Sequence, residues 1–200
     1  MLAPVTNHYP VPSQAMSFLV EYWMPILLSA VAIFIASSVL HMVIPMHASD
    51  HKILPGEDDL LNSMRGKDIP QGNYMFPYVK SMKDMGNDEM IEKYQQGPVG
   101  FMTILPSGTP AVGKSLMQWF AYTILVSIFI AYVLSFSLAA EVDYMDVFRI
   151  SGTIAFMTYG LNEVTSSIWK GQSWWVTFKF GIDGLVYALV TAGVFGTFAA

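Results

Sequence analysis

Between Tyr22 and Met46 the chain runs for 25 residues without an Asp, Glu, Lys or Arg, and only His41 can take up a proton. A helix rises about 1.5 Å per residue and the hydrocarbon core of a bilayer is roughly 30 Å thick, so about 20 apolar residues suffice to cross it. This run predicts a transmembrane helix that breaks into a polar exit at His47, Asp50 and His51. Charged residues make up only 12% of the chain against 54% hydrophobic. Soluble domains carry about twice that charged fraction, which points to a lipid environment. A net charge of −5 excludes a nucleic-acid partner, which needs a clustered basic face. Cysteine is absent, so thiolate metal sites and disulfides are excluded as well. No Lys or Arg precedes Lys52, and the first apolar run is longer than a signal-peptide core, so it reads as a retained span.

Taken in order, residues 1–16 read as a polar tail punctuated by Pro4, Pro10 and Pro12, and residues 17–46 as the first span. Residues 47–113 form a polar loop of about 67 residues with six Lys/Arg and nine Asp/Glu. Short helices are expected there at Glu57–Met64 and Asp88–Tyr94, the second capped by Asn87 and stopped near Gly97. The loop is near the lower limit for an independent core. Further spans are expected at 115–140, 147–168 and 174–198, the third being the weakest because it carries Arg149, Asn162 and Glu163. The fold class is therefore an all-α membrane protein of about four transmembrane helices. The long first loop holds most Lys and Arg, the second has none and the third has Lys170. The positive-inside rule then places the 47–113 loop in the cytoplasm and both termini outside.

Several patterns bear on chemistry. Gly108–Ser115, GTPAVGKS, fits the phosphate-loop spacing, but that loop needs a parallel sheet around it and the chain enters its second span immediately afterwards. Nucleotide binding is not expected. His47 and His51 stand four apart, so on a continued helix they share a face and could clamp a metal with Asp50 as third ligand or orienter. The commoner use of such residues is a solvated interfacial exit. His41 lies within the span, where an ionisable group is costly. It could bond across helices, relay a proton or ligate a cofactor, the candidates being a metal or a porphyrin-type ligand with Ser37 leaving room one turn before. No second span holds a histidine, which excludes a bis-histidine haem within one chain. Met42, Met46, Met75, Met82, Met85 and Met90 raise Cu(I), but the expected cytoplasmic side of the loop speaks against it.

In the fourth span Gly184, Ala188, Ala192 and Gly196 recur every four residues, a small-residue stripe suited to close helix packing in lipid. Lys179 and Asp183 are also four apart and can neutralise each other, and Asp183 lies about 14 Å past Trp174 by helix rise. With Arg149 and Glu163 these are the intramembrane polar residues, read as an internal ion pair fixing the packing or as the lining of a proton or ion path.

The segments SSVLHMVIPMHASDHKILPGEDDLL, GPVGFMTILPSGTPAVGK and SSIWKGQSWWVTFKFGIDGLVYALVTAGVFG resemble a family of small bacterial multi-span membrane proteins to which no function is assigned. The resemblance implies an inner-membrane location and about four helices, and it brings no activity, cofactor or site residue. The expected function is that of a non-catalytic accessory, scaffold or assembly subunit of a membrane complex. Its partners would be the bilayer and other membrane subunits, or a second copy met through the fourth span. A small transporter or proton conductor using His41, Asp183 and Arg149 is one alternative. A metal- or pigment-binding protein using His41, His47 and His51 is the other. An enzyme is not expected, since no nucleophile–base pair or carboxylate pair stands at a defined spacing.

Overall fold

The computed structural model describes residues 17–138 and 142–200. The polar tail 1–16 and the last two residues of the expected second span, 139–140, lie outside the described residues. In chain order the elements are α1 (Ser17–Glu21), α2 (Trp23–Ser38), α3 (Glu57–Gly66), β1 (Gly72–Phe76), α4 (Asp88–Gln96), β2 (Gly100–Ile104), α5 (Val112–Ser137), α6 (Tyr144–Tyr159), α7 (Val164–Lys170) and α8 (Trp174–Ala199). Three helices are long and apolar enough to cross a membrane: the run Trp23–Val43 that extends α2, then α5 and α8. Each keeps large apolar side chains exposed, Ile35 and Phe129 at 58% and Leu189 at 52%. Water penalises such a surface and hydrocarbon does not, so these helices are compatible with an integral membrane protein.

The expected third span differs in form. Its residues divide into α6 and α7, separated by Gly160–Glu163. Glycine is a poor helix former, and Gly160 closes α6 by donating its N–H to the Phe156 carbonyl at 2.8 Å. The polar residues Asn162 and Glu163 fall in the break rather than within a continuous helix.

The chain divides into two compact units. The first holds residues 17–47, 111–163 and 175–200 among those described. Its core is built from Ile33, Ile130, Leu134, Val147 and Phe195, all fully buried. Small hydroxyl residues pack among them: Thr123, Ser127 and Ser151 are buried, and each bonds a carbonyl three or four residues back in its own helix. This arrangement lets helix backbones approach without stranding polar groups.

A close approach joins α8 to the end of α6. A Cβ placed on Gly184 would lie 2.2 Å from the Gly160 Cα, so only glycine fits. Further along, a Cβ on Gly152 would meet the Ala192 Cβ at 3.1 Å, and one on Gly196 would strike the Tyr144 ring at 2.7 Å. The stripe seen in the sequence is thus occupied within the chain by α6 and the glycine that ends it.

The second unit comprises residues 48–110 and 164–174. β1 and β2 pair antiparallel with Tyr74 opposite Met102. The Asn87 side chain accepts the Met90 N–H at 2.8 Å and starts α4, and Gly97 ends it at φ +58°. Lys93 bonds Glu89 one turn back at 2.6 Å, and this contact holds the Glu89 carboxyl below its ordinary range. No residue between 48 and 110 is buried.

Candidate metal centre and adjoining cavity

Pro45 shapes the end of the first long helix. Proline biases the preceding residue away from helical geometry, and Ile44 is accordingly extended at φ −90° and ψ 119°. Upstream, Val39–Val43 widens into a π-helix, with the Ile44 N–H reaching the Val39 carbonyl at 3.0 Å. Downstream, Pro45–His47 forms one 3₁₀ turn. Single π-turns of this kind concentrate at functional sites.

The break swings His47 back onto His41. Their rings stack with centroids 4.4 Å apart and an interplanar angle of 28°. Phe180 of α8 backs the His47 ring at 5.0 Å. Both Nε2 atoms converge on one oxygen of Asp183, His47 at 2.8 Å and His41 at 3.3 Å from Oδ2. The Asp183 side chain is 2% exposed, that of His47 12% and that of His41 39%, so the cluster is closed at the carboxylate and open at His41. The second carboxylate oxygen, Oδ1, is buried and has no hydrogen-bond partner among the described residues. Lys179, one turn before Asp183 and buried, donates from Nζ to the Met46 carbonyl at 3.0 Å, which ties the 3₁₀ turn to α8.

Among the described residues, His41, His47 and Asp183 are the group of three whose ligand atoms gather closely enough to hold one metal ion, all within 4.8 Å of one another. The 2.8 Å separation of His47 from Asp183 is that of a hydrogen bond, and His41 stands slightly farther off at 3.3 Å.

A cavity of about 310 Å³ opens beside the cluster. His41 and Asp183 form one side of it, and Trp119, Tyr122, Tyr159 and Tyr187 much of the rest. The Trp119 indole N–H donates to the Ser37 hydroxyl at 2.9 Å, fixing that ring between α5 and α2. The Tyr159 ring meets Tyr122 and Tyr187 edge-on at 6.0 and 5.6 Å.

The remaining residues singled out in the sequence fall as follows. Asp50 and His51 belong to the second unit and are not among the gathered ligand atoms. Glu163 lines the cavity, and its carbonyl accepts from the Thr177 hydroxyl at 3.5 Å. Arg149 is exposed on α6, 4.0 Å from Asp146, and does not line the cavity. GTPAVGKS begins four residues past the end of β2 and runs into α5, and the sheet to which β2 belongs has two antiparallel strands. The roles of Trp119, Tyr159 and Tyr187 had no signal in the sequence, because aromatic residues are common in apolar helices and nothing local marks which ones meet.

The fold and the site define a mostly helical chain with three helices able to cross a membrane and a buried carboxylate held between two imidazoles. The chain matches no family model, no curated protein and no solved structure.

Proposed function

We propose that this protein holds a divalent transition-metal ion within a helical membrane bundle, on His41, His47 and Asp183. The observation that carries this reading is the convergence of two imidazole nitrogens on a buried carboxylate whose second oxygen lacks a partner. Imidazole with carboxylate suits Zn²⁺, Fe²⁺ or Mn²⁺. Three protein ligands leave at least one coordination position, and the cavity is the space next to them. The test is elemental analysis of the full chain purified in mild detergent, followed by Zn²⁺ titration of the chelated protein. One ion per chain, lost in Asp183→Asn and His47→Ala, is expected. Binding unaffected by both substitutions would defeat the reading.

The wider setting of the proposal is a non-catalytic accessory subunit of a larger membrane complex, in a bacterial inner membrane. The small-residue stripe of α8 faces α6, so partner subunits would meet other faces of the long helices. Native mass spectrometry of gently extracted membranes tests this, and a chain recovered alone would count against it. The same proposal takes residues 147–168 as a fourth crossing, with residues 47–113 cytoplasmic and both termini outside, on the strength of the Lys/Arg distribution. Because the chain has no cysteine, single cysteines introduced at Lys80 and Asp143 report sidedness directly by labelling. Labelling of both from the same side would overturn the topology.

A second reading has one specific observation behind it. A carboxylate hydrogen-bonded to His47 and 3.3 Å from His41 could also relay a proton, as expected of a small proton conductor. Arg149, which that reading enlisted, points elsewhere. Proton flux in proteoliposomes that persists after chelation and vanishes in Asp183→Asn would favour the relay over the metal.

A further inference from the structure

We infer that the groove between α6 and α8 seats an acyl chain of a phospholipid with a zwitterionic, primary-ammonium headgroup, the phosphatidylethanolamine class, with its phosphate on Arg149 and its ammonium on Asp146. The groove has a volume of about 290 Å³. It is lined by the large apolar side chains Phe148, Phe156, Leu185 and Leu189, and by Gly152 and Ala192, where the two helices come close. From Phe148 to Phe156 it follows α6 for about 12 Å by helix rise, an extended apolar path that suits a hydrocarbon chain. Among the residues that line it, Arg149 alone is charged.

The charges at one end select the headgroup. Arg149 lies in the second turn of α6, and its guanidinium stands 4.0 Å from the Asp146 carboxylate, with the two side chains 71% and 60% exposed. So exposed a pair adds little to the fold, and both charges remain open to a ligand. The contact turns Arg149 toward the start of α6, as long cationic side chains near a helix end reach for the lipid interface. A guanidinium grips phosphate through paired hydrogen bonds, and the carboxylate beside it matches an ammonium. An anionic headgroup fits worse, because Asp143 and Asp146 are both exposed there and Arg149 is the only Lys or Arg between Lys114 and Lys170. A quaternary ammonium has no N–H to give Asp146, which ranks choline behind ethanolamine. The inference shares no residue with the metal site and rests only on the bilayer setting of the chain.

The experiment is native mass spectrometry of the full chain, delipidated in mild detergent and titrated with equal concentrations of dioleoyl phosphatidylethanolamine, phosphatidylcholine and phosphatidylglycerol. One ethanolamine lipid per chain is expected, held about threefold or more tightly than the glycerol lipid. Arg149→Gln should weaken all three, the ethanolamine lipid about tenfold, the usual effect of losing a hydrogen bond to a charged group. Asp146→Asn should keep the phosphate contact and shift the preference toward the glycerol lipid. Both side chains are exposed, so neither substitution threatens the fold. Equal retention of the three lipids, a wild-type preference for the glycerol lipid, or a ranking that neither substitution changes would overturn the proposal. A lipid-free dimer crosslinked through Leu189→Cys would put a second copy in the groove and overturn it as well. Zn²⁺ uptake by the same preparations reports on the metal reading separately, so either can fail while the other stands.

Discussion

The rings of His41 and His47 lie face to face, 4.4 Å apart, although six residues of unbroken α-helix would turn them about 120° from each other. The π-helix before Ile44 and the 3₁₀ turn after it supply the missing rotation. Lys179 then holds the turn by its Met46 carbonyl, and Asp183 caps both imidazoles from the same face of α8.

If Pro45 causes the break, Pro45→Ala should let the helix run on and separate the two rings. Zn²⁺ affinity is expected to fall at least tenfold while far-ultraviolet circular dichroism shows equal or greater helix content. Unchanged affinity would mean that packing on α8, not the proline, pairs the histidines.

The ligand set separates His47 from His51. Asp183→Asn and His47→Ala are expected to lower Zn²⁺ affinity by more than the 10–100-fold typical of changes in the shell around the ligands. His51→Ala should leave it within about twofold. Isothermal titration in detergent gives all three values, and equal losses at His47 and His51 would restore the helical pair read from the sequence.

Removing the metal should destabilise the chain by mass action. At a free ion concentration 100 times the dissociation constant, bound metal adds about 2.7 kcal/mol to the folded state. Chelation is therefore expected to lower the thermal midpoint, Zn²⁺ to restore it, and Mg²⁺ to leave it low because that ion prefers an oxygen shell. A midpoint indifferent to chelation in the wild type would speak against a resident ion.

The contact between Gly184 and Gly160 makes a prediction independent of any ligand. With Gly160 backbone 2.2 Å from where a Cβ would sit, Gly184→Ala is expected to destabilise the folded chain by about 1–3 kcal/mol, and Gly184→Leu by more. Gly193, in the same helix, has nothing within 4 Å of such a Cβ, so Gly193→Ala should be neutral or stabilising by up to about 1 kcal/mol. Thermal unfolding of the pair in one detergent compares them. Similar midpoints would show that α6 and α8 shift apart without cost.

The long apolar helices, and the small-residue stripe on the last of them, were legible in the sequence because each depends on residues close together in the chain. Length, absence of charge and a four-residue recurrence are local properties, and hydrocarbon selects for them without regard to fold. The Asn87 cap and the Gly97 stop of α4 are of the same kind. His41, His47 and Asp183 were each visible as polar residues at costly positions, but spacing along the chain does not bring the three together. Extending a regular helix past Pro45 pairs His47 with His51, and i,i+4 spacing pairs Asp183 with Lys179. Only the tertiary structure decided that Asp183 meets both imidazoles, that Lys179 reaches a backbone carbonyl, and that Tyr159 and Tyr187 line one cavity. These contacts join positions more than a hundred residues apart, or side chains on separate helices. The Gly184–Gly160 contact sets how closely Tyr159 and Tyr187 approach, and no pattern along one helix encodes it.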